Sequence, residues 1–260
     1  FRLMAKCTMD FHVLSALWML EVGHLFDEKS QVCAYGNRLR RTQNESDFNN
    51  LSLGSFAPYL KPFRDWRDKG LDAMNTALDA DKKIIAITAD VKSFYHELNS
   101  SFMIDPDFFE DVLGLDLNQY QLKLNRLFVN ALLTWAKLTP LKKGLPVGLP
   151  ASALIANVAL LELDRVIEQQ VVPLYYGRYV DDVLLVMEDG ANFQSIGEIW
   201  EWLFSRTDNL LGWSDPDKQG IAFSPKYLKK CDSKVQFLNK KNKIFILSGE
   251  TGKSLVGTIT

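Results

Sequence analysis

Two adjacent aspartates, Asp181 and Asp182, stand between the apolar runs 174–180 and 183–187, and a third, Asp90, ends the run Ile84-Ile85-Ala86-Ile87-Thr88-Ala89. Gathering carboxylates beside buried strands is opposed by lost hydration and by mutual repulsion unless a multivalent cation or another partner neutralises them. Hard oxygen ligands with no His or Cys beside them favour Mg²⁺ or Mn²⁺ over zinc. Such ions, acting in pairs, perform in-line nucleotidyl transfer. Taken singly, each aspartate also suits a solvated turn or strand end, where Asp is common.

Competing chemistries find little support. Cys7, Cys33 and Cys231 are odd in number and far apart, so they make neither a disulfide framework nor a zinc-finger spacing. His12, His24 and His96 contain no His-x-x-x-His pair and read as packing or surface residues. The longest apolar run, 154–163, is about half the roughly 20 residues a bilayer demands and carries Glu162. No membrane partner is expected, and a reducing cytoplasm is the expected compartment. The 260 residues, 47% hydrophobic and 24% charged, suffice for a large core. A net charge of −2 argues on its face against nucleic acid. Phe1 in place of Met, with no signal-peptide pattern behind it, suggests a stretch of a longer protein.

The elements that must position the aspartates follow from local pattern. The spacing of Met9, Val13, Ala16, Leu17 and Leu20 predicts a helix from Met9 to Val22, ending near Gly23. Residues 42–55, rich in Asn, Ser and Asp, read as a surface loop, and 55–78 as a second helical stretch. The run 84–89 is apolar on both faces and reads as a buried strand ending in Asp90. Helices are predicted at about 118–138, 151–169 and 196–204, with a Gly/Pro loop at 140–150 opening the second of these. The runs flanking Asp181-Asp182 carry a hairpin signal. A loop is expected through 215–220 and strands near 235–238 and 244–247. Long helices with a few antiparallel hairpins predict an α+β class.

At the aspartates the chain resembles a known family. Tyr179-Val180-Asp181-Asp182 is similar to the Tyr-x-Asp-Asp signature of reverse transcriptases. Upstream, Ala89-Asp90-Val91-Lys92-Ser93-Phe94-Tyr95 resembles their first catalytic motif, and Gly144-Leu145-Pro146-Val147-Gly148-Leu149-Pro150 through Asn157 resembles the motif that opens the palm helix. Downstream, Phe223-Ser224-Pro225-Lys226 resembles the lysine motif, and Lys243 to Gly249 sits where the primer-grip hairpin belongs. The motifs stand in the family's order. Within that superfamily, Ala34 to Arg41, Pro58 to Asp68 and the closing Phe245 to Gly252 resemble the bacterial Abi and unknown-group enzymes of defence against phage, ahead of group II intron-like enzymes.

The resemblance implies a right-hand polymerase fold of fingers and palm with the thumb largely absent. Residues 1–82 would form the helical fingers, 83–105 the palm strand with the first catalytic Asp, and 106–146 the fingers' return. Residues 147–250 would form the palm with the YVDD hairpin and a primer-grip-like hairpin, and 251–260 the start of a further C-terminal region. It also implies a nucleotidyltransferase, an RNA-directed or other DNA polymerase, with two Mg²⁺ or Mn²⁺ ions. Asp90 and Asp181 would ligate both ions, with Asp182 beside them and the Val91 carbonyl as a further oxygen. Tyr95 matches the gate against a ribose 2′-hydroxyl, Arg2 the triphosphate-gripping arginine, and Lys226 the lysine near the departing pyrophosphate; Val147 and Gly148 would line the nucleotide. Val147 departs from the family, which has Gln there: an amide can hydrogen-bond, whereas Val can only pack.

Expected partners are dNTPs, the DNA product, a non-coding RNA template, the protein itself as primer, and further copies in a homo-oligomer. Protein-primed or weakly templated synthesis characterises the Abi-like group. The adverse net charge is partly local. Lys226, Lys229, Lys230, Lys234, Lys240, Lys241 and Lys243 face only Asp232 across 221–243, and Arg38, Arg40 and Arg41 form a second basic cluster, so Arg38, Arg40, Arg41, Lys229 and Lys230 are candidate nucleic-acid contacts. Three rivals remain: an RNA-templated enzyme of group II intron or retron type; an inactive scaffold binding RNA or protein, disfavoured by the repelling carboxylates; and a nucleoside triphosphatase suggested by Gly252-Lys253-Ser254. The last lacks its first glycine, since position 247 is Leu, and too few residues are expected after Ser254 for the helix it needs.

Overall fold

The computed structural model describes residues 4–42, 48, 49 and 54–259. Arg2 and most of the 42–55 stretch lie outside the described residues. Among the described residues seven strands, β1 (Ile84–Asp90), β2 (Tyr175–Tyr179), β3 (Asp182–Glu188), β4 (Leu211–Trp213), β5 (Gly220–Phe223), β6 (Val235–Leu238) and β7 (Lys243–Leu247), form two sheets. The larger sheet has the order β2-β3-β1-β7 and the smaller the order β4-β5-β6; every pair is antiparallel. The helices are α1 (Met9–Trp18), α2 (His24–Glu28), α3 (Leu60–Asp79), α4 (Phe94–Glu97), α5 (Gln119–Leu138), α6 (Pro150–Val158), α7 (Leu161–Val166), α8 (Ile196–Arg206), α9 (Lys226–Lys230) and α10 (Gly249–Ile259). Helices around two antiparallel sheets agree with the α+β class.

The larger sheet is covered on both faces, which is why its central strands read as unbroken apolar runs. Ile84, Ala86, Leu184 and Val186 pack with Leu71, Met74 and Leu78 of α3. Ile85, Ile87, Leu185 and Met187, alternate in sequence, face the main core of α1, α5, α6 and α7. The buried Asn125 of α5 stitches that core: its carbonyl accepts from Trp18 Nε1 at 2.9 Å and its amide donates to the Met103 carbonyl at 2.7 Å. Asn125→Ala strands both partners in an apolar surrounding and is expected to cost roughly 2–4 kcal/mol in a urea melt. An unchanged midpoint would show that these groups find other partners.

Several boundaries differ from the sequence reading. The first helix does not stop at Gly23: a wide π turn at Met19–Gly23 carries it into α2. The helix expected over 151–169 breaks between α6 and α7. There the Asn157 carbonyl accepts from Arg178 Nη2 at 3.3 Å and the Ala159 carbonyl from the Tyr227 hydroxyl at 2.9 Å, so tertiary donors replace the helical ladder. β4 and β5, three and four residues long, are too short for a period to mark them. β6 and β7 do not pair with each other: β6 pairs with β5 and β7 with β1, so residues 239–242 cross between the sheets.

The sequence reading marked no helix over 249–259, where the structure forms α10. Gly252-Lys253-Ser254 lies inside α10, which packs on α3 with Val256 buried and Gly252 against Leu78 and Leu247. Lys253 pairs with Asp79 at 3.1 Å and Glu250 at 3.2 Å. A phosphate-cradling loop ahead of a helix is therefore not formed by this tripeptide. Among the described residues no helix is long and apolar enough to cross a membrane.

Candidate active site

The hairpin forms, but its two-residue turn is Val180 and Asp181, one residue earlier than the Asp181-Asp182 break of the sequence: Asp182 is the first residue of β3 and pairs with Tyr179. The β1–β3 register sets Asp90 directly opposite Asp182. Side chains at paired antiparallel positions share a face, so these two carboxylates are neighbours by backbone geometry alone. Asp181 is tied to the same end of β1, because the Val91 N–H donates to the Asp181 carbonyl at 3.1 Å. Val180 has φ +60°, a conformation that a β-branched residue adopts only at a cost. All of these residues line one open cavity of about 700 Å³.

Electrostatics mark the cavity as short of positive charge. Burial first, then repulsion from Asp181 and Asp90, pushes the Asp182 carboxyl up to about 6, with Lys241 opposing. The Lys241 ammonium rests on Asp90 Oδ1 at 2.8 Å, and that hydrogen bond raises the Lys241 pKa. Among the described residues no three His, Cys, Asp or Glu side chains stand close enough to cage an ion outright. Carboxylates that gather at one cavity wall without closing a cage suit an ion that keeps water and takes phosphate oxygens as well, which is how magnesium binds. Asp90, Asp181 and Asp182 thus fit such an ion.

The structure brings some of the other expected residues to this cavity and not the rest. Tyr95, Val147 and Gly148 line it. The Tyr95 hydroxyl accepts from Asn37 Nδ2 at 3.4 Å, and the Val147 carbonyl accepts from the Ala5 N–H at 2.8 Å. Gly148 has φ +103°, which only glycine adopts readily. Lys226 lies outside the cavity lining and pairs with Asp107 at 2.8 Å. Lys230 bonds the same carboxylate and Asp105, and the two lysines hold the Asp107 pKa down to about 2. Lys229 is exposed on the same short helix.

The arginine cluster is turned toward its own fold. Arg38 Nε and Arg41 Nη2 each lie 2.9 Å from a different oxygen of the buried Asp27, and Arg41 also reaches Glu28 at 3.4 Å. The Arg40 backbone bonds its neighbours, its N–H donating to the Ser55 carbonyl and its carbonyl accepting from the Asn49 N–H, both at 2.9 Å, and the Arg40 Nε is buried. Asn37, Phe56, His96 and Lys241 line the cavity although the sequence reading gave them no part in the site. Only Lys241 carried a signal, as one of seven lysines, and nothing local set it apart from the other six.

No curated protein matches the chain. The family model described as "Reverse transcriptase (RNA-dependent DNA polymerase)" matches residues 2–207, a stretch that holds Asp90, Asp181, Asp182 and the whole hairpin between β2 and β3. With most of its length matched and the aspartates of the family's motifs converging on one cavity, the chain belongs to the reverse transcriptase family.

Proposed function

We propose that the protein is a DNA polymerase of the Abi-like, defence-associated kind, extending DNA with dNTPs at the cavity of Asp90, Asp181 and Asp182. The observation that carries this reading is the register that sets Asp90 opposite Asp182 beside the turn holding Asp181. When bound, paired divalent ions activate the primer hydroxyl and stabilise the leaving pyrophosphate. Asp90 and Asp181 would hold both ions, with Asp182 and the Val91 carbonyl completing the oxygen set. The first three strands of the larger sheet belong to a palm over 83–105 and 147–250, and the flanking helices of 1–82 and 106–146 to fingers.

In this reading Tyr95 selects the sugar. Its ring lines the cavity, held by Asn37, where a ribose 2′-hydroxyl would meet it. Tyr95→Ala is expected to raise ribonucleotide incorporation relative to deoxynucleotide by about 10–200-fold, the range a small steric difference is worth in a pocket. Parallel single-nucleotide extensions with dNTP and rNTP measure it, and an unchanged ratio would remove Tyr95 from sugar selection. Val147 presents no amide to template or nucleotide, which supports synthesis that is protein-primed or weakly templated.

The test is incorporation of labelled dNTPs with Mg²⁺ or Mn²⁺, first without added template or primer and then with RNA and DNA templates. Product is resolved on a denaturing gel before and after protease. Polymer that depends on the aspartates supports the reading, and label that shifts on proteolysis supports protein priming. No polymer under any template, primer or associated RNA would favour the inactive scaffold.

A further inference from the structure

Beneath the catalytic turn, on the sheet face opposite Tyr179, lies an ionic cluster that the polymerase reading leaves unused. Arg178 and Asp164 are both 0% exposed. All five guanidinium N–H groups have an acceptor: Asp164 Oδ1 at 2.9 Å, Asp164 Oδ2 at 2.7 Å, the Asn157 side-chain oxygen at 2.7 Å, the Asn157 carbonyl at 3.3 Å and the Val180 carbonyl at 2.8 Å. The Tyr176 hydroxyl donates to Asp164 Oδ1 at 2.8 Å. Asn157 passes the anchor on, its amide donating to the Gly36 carbonyl at 2.8 Å.

A buried ion pair is weak evidence for stability, because well-packed apolar side chains of the same volume often stabilise as much. What such side chains cannot do is hold the carbonyl of Val180. That residue's φ of +60° persists only where its surroundings over-determine it. Arg178 grips it from below, and Gly36 closes on it from the side. A Cβ on Gly36 would stand 2.7 Å from Val180 Cγ2 and 2.8 Å from the Val180 nitrogen.

We propose that Arg178 is a positioning residue for the ion site: held by Asp164 and Asn157, its guanidinium fixes the Val180 carbonyl and thereby the turn that presents Asp181 and Asp182. The proposal rests on the polymerase reading of those aspartates. In Arg178→Lys the charge opposite Asp164 is kept, but three ammonium donors cannot reach Asp164, Asn157 and Val180 together.

The test measures Mn²⁺ affinity of the whole, nucleotide-free chain by electron paramagnetic resonance, beside thermal midpoint and the kcat and KM for dNTP. Arg178→Lys is expected to weaken Mn²⁺ about 10–100-fold, the usual effect of losing an outer-shell support, and to lower kcat more than it raises KM. Gly36→Ala, which pushes Val180 while leaving every side chain of the cluster and the Gly36 carbonyl that Asn157 bonds in place, is expected to act in the same direction. Tyr176→Phe removes a bond to Asp164 but leaves all five acceptors of the Arg178 guanidinium in place, and should lower the midpoint while leaving Mn²⁺ affinity within about twofold, less than the effect expected of Arg178→Lys. If Arg178→Lys does not fold, the contrast of Gly36→Ala with Tyr176→Phe decides. Wild-type affinity in a folded Arg178→Lys or in Gly36→Ala overturns the proposal, as does affinity that merely tracks the midpoint across all variants. Mn²⁺ binding that survives Asp181→Asn/Asp182→Asn unchanged would instead overturn the polymerase reading itself.

Discussion

Asp90→Asn, and separately Asp181→Asn, is expected to lower dNTP incorporation about 10³-fold or more, since an ion's transition-state stabilisation is worth several kcal/mol at 1.36 kcal/mol per tenfold. Asparagine keeps the shape of the side chain but withdraws the charge that would hold the ion. The loss should fall on kcat at saturating nucleotide and should be only partly relieved by raising Mg²⁺ or Mn²⁺. Asp90→Asn also frees Lys241, whose ammonium rests on Asp90 Oδ1 at 2.8 Å. The folded state is held by apolar packing on both faces of β1, so far-UV circular dichroism should be unchanged. Activity within tenfold of wild type in both variants would show that the chemistry is done elsewhere.

The second large effect concerns stability and its reversal by metal. The Asp182 carboxyl, at about 6 in the folded protein, lies above its ordinary 3.8 through burial and the charges of Asp181 and Asp90. Between these two values the folded state keeps a proton that the unfolded chain releases, so stability falls as pH rises through the window. Above about 6 the penalty is fully present, and below about 4 it is gone. Metal-free Asp182→Asn is therefore expected to melt above wild type at neutral pH, with the gap closing as the pH is lowered through 6.

Adding Mn²⁺ should invert that order. An ion at 100 times its dissociation constant stabilises wild type by about 2.7 kcal/mol, roughly 5–10 °C for a chain of this size, and the variant by much less. Thermal scans with EDTA and with Mn²⁺ at several pH values measure both effects. A variant less stable than wild type without metal at every pH would contradict the repulsion inferred among the three carboxylates.

Much of the site was legible in local pattern. The two apolar runs parted by Asp181-Asp182 form antiparallel strands around a tight turn and the β-branched run ending in Asp90 forms a third strand, while the register that sets Asp90 opposite Asp182 is fixed by the long-range pairing of β1 with β3. The basic residues were not legible in that way. Seven lysines across 221–243 look equivalent in sequence. Yet Lys226 and Lys230 settle on Asp107 while Lys241, on the crossing between the two sheets, reaches Asp90. Likewise Arg38 and Arg41 read as a free basic cluster until Asp27 is found buried between them.

The sequence by itself therefore determined the aspartates, the strands that carry them and the membership in a polymerase family, because turns and alternating faces depend on residues a few positions apart. The tertiary structure alone decided which cation meets the aspartates, where the helix over 151–169 breaks, and that Arg178 underlies the turn of Val180 and Asp181. Those outcomes depend on partners as distant as Lys241 and Asp90 or Tyr227 and Ala159. A charge or a hydrogen-bond donor takes its partner from whatever folding brings within reach, and no local period records that choice.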